Sequence, residues 1–218
     1  MISSSHKYEY SYRNSQPNHH HAYLIEPLME MISTSAGMIK NQQKLRILDI
    51  GCGNGSLSNF IAQNGYEVVG IEESESGFEF ASRSFPNCRF ILGSIYDLPY
   101  AELGEKFDIV IAAEVIEHLF SPRELLRNAQ KCLKPKGHLI LTTPYHGYFK
   151  NLVLAVSGKT DKHFNPLWDC GHIKFFSQAT MTALLEAENY TNIKFDFAGR
   201  FPWIWKSMLC SSMPNTSK

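Results

Sequence analysis

The sequence has no apolar run that approaches the length of a membrane-spanning helix, and its start lacks the apolar centre of a secretory signal. A spanning helix needs about 20 consecutive apolar residues, and a signal peptide places an apolar stretch after a positively charged start. These absences predict a chain that is neither inserted in a membrane nor exported. Its 218 residues are enough for one domain with a sizeable core.

Cysteine is scarce, and neither sign of charge is in excess. The five cysteines are odd in number, scattered and without a C-x-x-C pair, a pattern typical of reduced thiols in a cytoplasmic protein. They are Cys52, Cys88, Cys132, Cys170 and Cys210. The 21 Lys and Arg residues equal the 21 Asp and Glu residues. No overall field therefore favours nucleic acid or an anionic membrane as a partner, although a local basic patch stays open.

A glycine-rich stretch, residues 47–55, organises the chain. Apolar residues and one acid lead into glycines at alternate positions, Gly51, Gly53 and Gly55. The pattern predicts a buried strand, a turn that lets the backbone approach a ligand, and a helix with Ser56 near its N-cap. The N–H groups at such a helix start suit an anionic or strongly polar ligand. The last glycine of G-x-G-x-x-G and the Gly-Lys-Ser/Thr of a P-loop are both missing.

A second apolar strand, residues 67–72, ends in Glu72. This acid follows the glycine loop by about 20 residues, the spacing at which a carboxylate accepts hydrogen bonds from both hydroxyls of a ribose. The loop and the acid together predict a site for a ligand that contains a ribose.

Apolar strands alternate with amphipathic helices along the chain. We expect helices over 22–39, 56–64, 75–84 and 177–189 and from Ser121 onward, and strands over 46–51, 67–72, 88–92, 107–113, 138–143, 191–198 and within 201–209. This alternation predicts an α/β fold, a Rossmann-like, doubly wound, seven-stranded and mostly parallel sheet with helices on both faces.

Three parts of the sequence, residues 48–55, Glu72 and the Glu-Val-Ile-Glu-His of residues 114–118, resemble the class I S-adenosylmethionine (SAM) methyltransferases. The resemblance covers about residues 40–195 and is more specific for the cofactor than for the methyl acceptor. It implies a methionine pocket at the loop, a ribose at Glu72 and adenine at the turn after the third strand. The implied cofactor-binding residues are Asp49, Gly51, Cys52, Gly53, Gly55, Glu72, Ser94, Ile95 and Glu114. The family usually has an acid where this chain has Ser94, which can accept a hydrogen bond from the adenine amino group but carries no charge.

A cluster of acids and imidazoles follows the fourth strand. Glu114, Glu117 and His118 are spaced i, i+3, i+4 and would share one face of a helical turn, and His172 lies farther along. Such groups can bind Mg²⁺, Mn²⁺ or Zn²⁺, which would lower the pKa of a bound hydroxyl. Alternatively, Glu114 orients the cofactor while Glu117 and His118 cap the turn without a metal. His118, His146 and His172 are candidate general bases, because imidazole titrates near neutral pH.

Two subfamilies look similar at these positions. Ubiquinone-biosynthesis-type O-methyltransferases and small-RNA 3′-terminal ribose methyltransferases both carry Glu-x-x-Glu-His and a later His, but the context of the RNA enzymes is poorly matched. We therefore predict SAM-dependent O-methylation of a small phenolic, quinone-precursor or glycan-like acceptor, with nucleic acid disfavoured. An RNA ribose methyltransferase, an NAD-linked oxidoreductase and a non-catalytic SAM-binding module remain alternatives.

The chain divides by this interpretation into an N-terminal arm and lid helix, residues 1–40, and a methyltransferase domain, residues 41–218. In the resembling family the N-terminal helix covers the cofactor mouth, although simple packing on the sheet is an alternative. Candidate lid residues are Tyr8, Tyr10, Tyr12 and Tyr23. Residues 144–176 are a long, aromatic-rich connection at the carboxyl end of the sheet, which predicts an acceptor-binding insertion or, alternatively, an aromatic plug.

The C-terminal segment is a candidate contact with a membrane surface. Trp203 and Trp205 lie beside Lys206, and a basic aromatic segment of this kind can enter a membrane interface.

Overall fold

The structure, a computed structural model, describes residues 10–17, 21–39, 43–169 and 171–215. The predicted arm residues 1–9 and 18–20, and also Cys170, lie outside the described residues. Seven strands form one sheet. They are β1 (Arg46–Ile50), β2 (Glu67–Glu72), β3 (Arg89–Leu92), β4 (Phe107–Ala113), β5 (Leu133–Pro144), β6 (Tyr190–Ala198) and β7 (Ser207–Pro214).

Helices connect the strands. In chain order they are α1 (His21–Met38), α2 (Ser56–Gln63), α3 (Glu75–Ser84), α4 (Tyr100–Leu103), α5 (Pro122–Cys132), α6 (Tyr148–Val156), α7 (Thr160–His163) and α8 (Gln178–Ala187), with a 3₁₀-helix over Ile116–His118. Among the described residues, no helix combines the length and the apolar character that crossing a bilayer requires.

The strand order is β3-β2-β1-β4-β5-β7-β6. The first five strands pair in parallel, whereas β7 runs antiparallel to both β5 and β6. The chain winds outward from β1 to β3 and then returns to β4 on the other side of β1. The predicted doubly wound α/β sheet is confirmed, and its direction reverses between β1 and β4, where the carboxyl ends of strands leave a crevice.

Helices cover both faces of the sheet. On one face, Leu24, Leu28 and Ile32 of α1 are buried against β1, β4 and α2. On the other face, residues of α5 and α8, such as Leu126 and Met181, are buried with the alternate residues of the same strands. Each fully buried Leu or Ile stabilises the fold by roughly 1.5–3 kcal/mol. Helix α1 is therefore packed on the sheet, as one of the two alternatives for the N-terminal helix predicts.

Two strands differ from their predicted bounds. β5 starts at Leu133, which pairs with Phe107, and an irregularity follows before His138 pairs with Ile109. Residues 134–137, which precede the predicted strand, thus form a bulge within it, in which Lys136 has a positive φ of 65°. The last strand begins only at Ser207, because the preceding aromatic residues form a turn.

The long connection after β5 is more ordered than its sequence predicts. It contains α6 and α7, and its two ends are held together by a β-bridge between Tyr145 and Phe176. The His146 N–H also donates to the Phe176 carbonyl oxygen at 2.9 Å. Both ends of the connection therefore lie next to each other at the carboxyl end of the sheet.

Candidate active site

The glycine loop after β1 has the backbone that its spacing predicts. Gly51, Gly53 and Gly55 all have positive φ values, of 74°, 57° and 77°, a conformation in which most side chains are strained. Gly55 itself is the N-cap of α2, which corrects the prediction that Ser56 would cap it. Ser56 is instead the first helical residue, because the left-handed turn at Gly55 already directs the chain into the helix.

Glu72, at the end of β2, is tied to this loop. Its Oε2 accepts a hydrogen bond from the Gly53 N–H at 2.6 Å, and its Oε1 accepts one from the Ser74 N–H at 2.8 Å. Burial raises the pKa of the carboxyl, and these backbone donors offset part of that rise. Each carboxylate oxygen can accept a second hydrogen bond, so Glu72 can still bind two hydroxyls.

Asp49 and Cys52 lie beneath the loop. The Asp49 Oδ2 accepts a hydrogen bond from Ser58 Oγ at 2.6 Å, while its Oδ1 is buried without a partner. Burial raises the pKa of Asp49 to about 6. The Cys52 thiol is buried against β2, since a Cβ added at Gly70 would lie 2.7 Å from its Sγ. Cys52 can therefore contact a ligand in the crevice only through its backbone.

The described part of the N-terminal arm lies over the loop. The Tyr12 ring is so close that a Cβ added at Gly53 would lie 2.5 Å from its hydroxyl oxygen, and one at Gly77 would lie 2.9 Å from its Cδ2. The Asn54 amide donates to the carbonyl oxygens of Asn14 and Gln16, each at 2.9 Å. The arm therefore borders the ligand crevice between the loop and the start of α3.

The turn after β3 contacts a carboxylate that the sequence analysis missed. Ser94 Oγ donates to Glu73 Oε2 at 3.2 Å, so an acid of the β2 turn stands beside the position where the resembling family has its own acid. Ile95 is buried in the core, and its carbonyl oxygen accepts from the Asn128 amide at 2.8 Å. Ile95 therefore supports the turn from below.

Glu114 leaves β4 in a left-handed conformation, with a φ of 56°. Its N–H donates to the Thr142 carbonyl oxygen, and its Oε1 accepts from Thr142 Oγ1, both at 3.0 Å. Burial raises the pKa of Glu114 to about 7, opposed by hydrogen bonds from Thr142 and Ser207 and by the charge of Lys150. The conformation turns the carboxylate toward β5 and away from the helical turn that follows.

Glu117, His118 and His172 come together at this edge. One potential ligand atom from each lies within 4.8 Å of the others, and His172 Nε2 is 3.9 Å from Glu117 Oε1. Glu117 is fully buried, and neither of its carboxylate oxygens has a hydrogen-bond partner. The N–H groups of Ile173 and Lys174 donate to the Glu117 carbonyl oxygen, which holds the His172 segment in place. Glu114, predicted as a fourth ligand, is not in this group.

His146 belongs to a different group. Its ring packs against those of His163, Phe164 and Phe175, with centroids 5.0–5.6 Å away. Burial and the charge of Lys150 lower the pKa of His146 to about 4. The three predicted imidazoles therefore divide into a pair, His118 and His172, and a separate neutral His146.

Lys150 is a buried lysine that the sequence analysis missed, although the sequence contains a signal for it. It is the one lysine in the apolar stretch Tyr-Phe-Lys-Asn-Leu-Val-Leu-Ala-Val that forms α6. A single charge in such a stretch is uncommon, because an isolated ammonium group is costly to bury.

The protein-family comparison matches a model described as a methyltransferase domain to residues 18–194. Among curated relatives, a ubiquinone biosynthesis O-methyltransferase of Azorhizobium caulinodans is 31% identical over 62% of this chain and 54% of its own length. The mitochondrial enzyme of the same name from Schizosaccharomyces pombe is 34% identical over 66% of this chain and 54% of its own length. The chain thus spans about half the length of the curated relatives it matches.

Solved structures share the fold. The magnesium protoporphyrin IX methyltransferase of Synechocystis PCC 6803, with bound SAH, aligns with a TM-score of 0.64 at 19% identity and covers 94% of this chain and 91% of its own. The PH0226 protein of Pyrococcus horikoshii aligns with a TM-score of 0.67 at 20% identity and covers 94% of this chain and 95% of its own.

Proposed function

The chain belongs to the methyltransferase-domain family, as its glycine loop and acids predict, and we propose that it transfers a methyl group from SAM to an oxygen of a small acceptor. The observation that carries this proposal is the link between Glu72 and the Gly53 N–H. It joins the acid that we assign to the ribose to the glycine loop, in which Gly51 and Gly53 have positive φ values and no side chain between the backbone and a ligand. Relatives named ubiquinone biosynthesis O-methyltransferase support an oxygen as the accepting atom.

In this proposal the cofactor lies across the crevice at the carboxyl ends of β1, β2 and β4. Glu72 holds the ribose hydroxyls, the backbone at Gly51 and Gly53 faces the methionine part, and Ser94 with Glu73 receives the adenine edge. Glu114 accepts the positively charged ammonium group of the cofactor. Asp49 acts indirectly, because its bond to Ser58 secures the start of α2 beneath the loop.

The methyl group would pass to the acceptor in line, with the acceptor oxygen attacking the methyl carbon as the carbon–sulfur bond breaks. The hydroxyl proton must leave during this step, since a neutral hydroxyl is a weak nucleophile. His118 and His172 are the candidate bases at the Glu117 edge. His146 is better suited to contact the acceptor, because its lowered pKa makes it a weak base.

A divalent cation, Mg²⁺, Mn²⁺ or Zn²⁺, fits the group of Glu117, His118 and His172. A buried carboxylate without hydrogen-bond partners is costly unless a cation balances it. Ligand atoms that share a cation at about 2.1 Å lie roughly 3–4 Å apart, which the contact between Glu117 and His172 already satisfies. A cation held there would lower the pKa of the acceptor hydroxyl. Glu117 and both imidazoles would then orient the acceptor and would not remove its proton.

The test is transfer of labelled methyl from SAM to a panel of catechols, sugars and short RNA, with and without a chelator. We expect labelling of a catechol and loss of labelling with chelator. Labelling that persists in the presence of the chelator would rule out the cation and leave His118 or His172 as the base. Labelling of RNA alone would replace the small acceptor with the RNA alternative. Tight SAM binding without any labelling would favour the non-catalytic module.

We also propose that the arm closes over the bound cofactor. Tyr12, whose ring contacts the loop and α3, would shield the ribose from water. Hydrogen exchange at residues 10–17 tests this, because the arm should become more protected when SAM binds. Unchanged exchange would contradict a lid.

A membrane surface is the partner that we propose for the exposed apolar residues beside the acceptor site. Tyr148 and Val156 of α6 are more than 80% exposed, and Trp203 is 68% exposed. Exposed basic residues, Lys159, Lys162 and Arg200, occur in the same segments, which suits anionic lipid. Co-sedimentation with anionic vesicles, but not with zwitterionic ones, is the expected result.

The buried, unpaired thiols Cys52, Cys88, Cys132 and Cys210 support the predicted cytoplasmic location.

A further inference from the structure

The burial pattern of helix α6 is the reverse of that of an ordinary surface helix. Lys150 is its only buried residue, whereas apolar side chains such as Tyr148, Phe149 and Val156 are exposed. An amphipathic helix normally buries its apolar side chains and exposes its lysines. The packing of α6 therefore brings an ammonium group inward, at a cost that its own apolar residues do not offset.

The ammonium group of Lys150 has N–H donors that are not used in hydrogen bonds to backbone. It donates to the Lys206 carbonyl oxygen at 3.3 Å, and an ammonium group has three N–H donors. The acid that attracts it is Glu114, whose carboxylate already accepts from Thr142 and Ser207. Burial lowers the pKa of Lys150 to about 8, so the group still carries its charge for most of the time at pH 7.

Two imidazoles and an amide face the same interior. His163 Nε2 is buried without a hydrogen-bond partner, and the buried Nδ1 of His146 has the Asn151 side chain as its neighbour. His146 is 6% exposed, and Lys150 lowers the pKa values of both His146 and His163 through its charge. Polar groups without good partners are costly inside a protein, so a ligand group that paired with this ammonium group and these side chains would be stabilised here. We call Lys150, His146, His163 and Asn151, with the rings that border them, the Lys150 pocket.

Aromatic rings form the wall of this pocket. Phe164 and Phe175 pack edge to face at 4.8 Å and contact the His146 ring. The pocket thus offers a flat, apolar surface next to a cation and neutral N–H donors. This combination suits an aromatic or unsaturated body that carries a negatively charged group.

We propose that this pocket binds an anionic oxygen group of the methyl acceptor, a carboxylate or a phosphate, with Lys150 as the specificity-determining residue. The proposal rests on the methyl-transfer function above and names one feature of its acceptor. Lys150 supplies the charge, and the imidazole N–H groups of His146 and His163 donate to the remaining oxygens. The position after β5, beside Glu114, would let the anionic end anchor the acceptor while its hydroxyl faces the cofactor.

The experiment compares one neutral acceptor with two anionic acceptors that carry the same dihydroxyphenyl ring. The kcat/KM values for 3,4-dihydroxybenzoate, for 3,4-dihydroxyphenylphosphonate and for the neutral 3,4-dihydroxybenzamide are measured with the full chain. A charge-assisted hydrogen bond predicts that one of the two anions exceeds the amide by about tenfold or more. The anion with the higher kcat/KM shows whether the preferred group is a carboxylate or a phosphate.

Variants assign the preference to Lys150. Lys150→Met keeps the length of the side chain without the charge and should bring the ratio of anion to amide close to one, whereas Lys150→Arg should retain part of the preference. Lys106→Met is the matched control, since Lys106 is exposed directly before β4, at the opposite end of the sheet, and it should leave the ratio unchanged. The ratio is insensitive to a general loss of folded protein.

Binding provides a second readout that does not need turnover. The same three compounds are titrated calorimetrically into protein saturated with S-adenosylhomocysteine. If no compound is methylated, the proposed function fails for this panel, yet tighter binding of an anion that is lost in Lys150→Met still supports the pocket. Equal binding of anion and amide, or an anion preference that survives Lys150→Met, would overturn the inference.

Discussion

Ser94 donates a hydrogen bond from its Oγ to the Glu73 carboxylate at 3.2 Å, across the carboxyl ends of β3 and β2. The resembling family usually has an acid at the position of Ser94, and this chain brings a carboxylate to the same place from the neighbouring turn. A carboxyl group therefore lies next to the position at which the resemblance implies the adenine amino group, although it comes from the turn after another strand.

Glu73→Ala should weaken SAM binding by about 1 kcal/mol, because a partly hydrated carboxylate makes a modest net contribution. Adding Ser94→Asp to this variant should recover most of the loss, since it places an acid on the other side of the same contact. Calorimetric titration with SAM measures both. If Glu73→Ala binds SAM as tightly as the wild type, the adenine assignment of Glu73 is wrong.

The two acids show which features a sequence reveals. Glu72 follows directly from a local pattern, an apolar strand that ends in an acid after a glycine loop, so its position could be predicted. Glu73 acquires its partner only when β2 and β3 lie side by side. Glu114 was predicted to share a helical face with Glu117, but its left-handed backbone interrupts the turn before the 3₁₀-helix begins. Tertiary pairing and single backbone dihedral angles are not visible in residue spacing.

Glu72→Ala should weaken SAM binding by about 2–4 kcal/mol, because it removes an acceptor for two hydroxyls and the bond to the loop. The matched control is Glu79→Ala, which removes an exposed acid of α3 that pairs with Arg83. The control should bind SAM normally by calorimetry. Unchanged affinity in Glu72→Ala would refute the ribose assignment.

Asp49 should make the stability of the cofactor-free protein depend on pH. Burial raises its pKa from 3.8 to about 6, so the folded state holds its proton more tightly than the unfolded state does. The contribution of Asp49 to stability is complete below about pH 4, falls as pH rises to about 6, and stays reduced above that.

Asp49→Asn removes this titration and keeps an oxygen for the bond from Ser58. At pH 7.5 the variant should therefore be more stable than the wild type by about 1–3 kcal/mol, and the difference should shrink toward pH 4. Urea unfolding across this pH range measures the difference. Asp161→Asn, at an exposed acid, should follow the wild type at every pH, and a constant difference for Asp49→Asn would show that the carboxyl does not titrate in this window.

Glu117 gives the proposed cation site a readout that is independent of catalysis. Its fully buried carboxylate should destabilise the metal-free protein, so Glu117→Gln should raise the melting temperature in the presence of a chelator.

Added Mn²⁺ or Zn²⁺ should stabilise the wild type by an amount that grows with concentration, as any ligand specific to the folded state does. Glu117→Gln and His172→Ala should lose this response. Asp169→Asn, in the same connection but outside the group of three, should keep it. If the cations shift the melting temperature of all these proteins equally, they bind elsewhere, and the cation site at Glu117 is wrong. Burial, which raises the pKa of the Glu117 carboxyl, would then account for this buried acid without a metal.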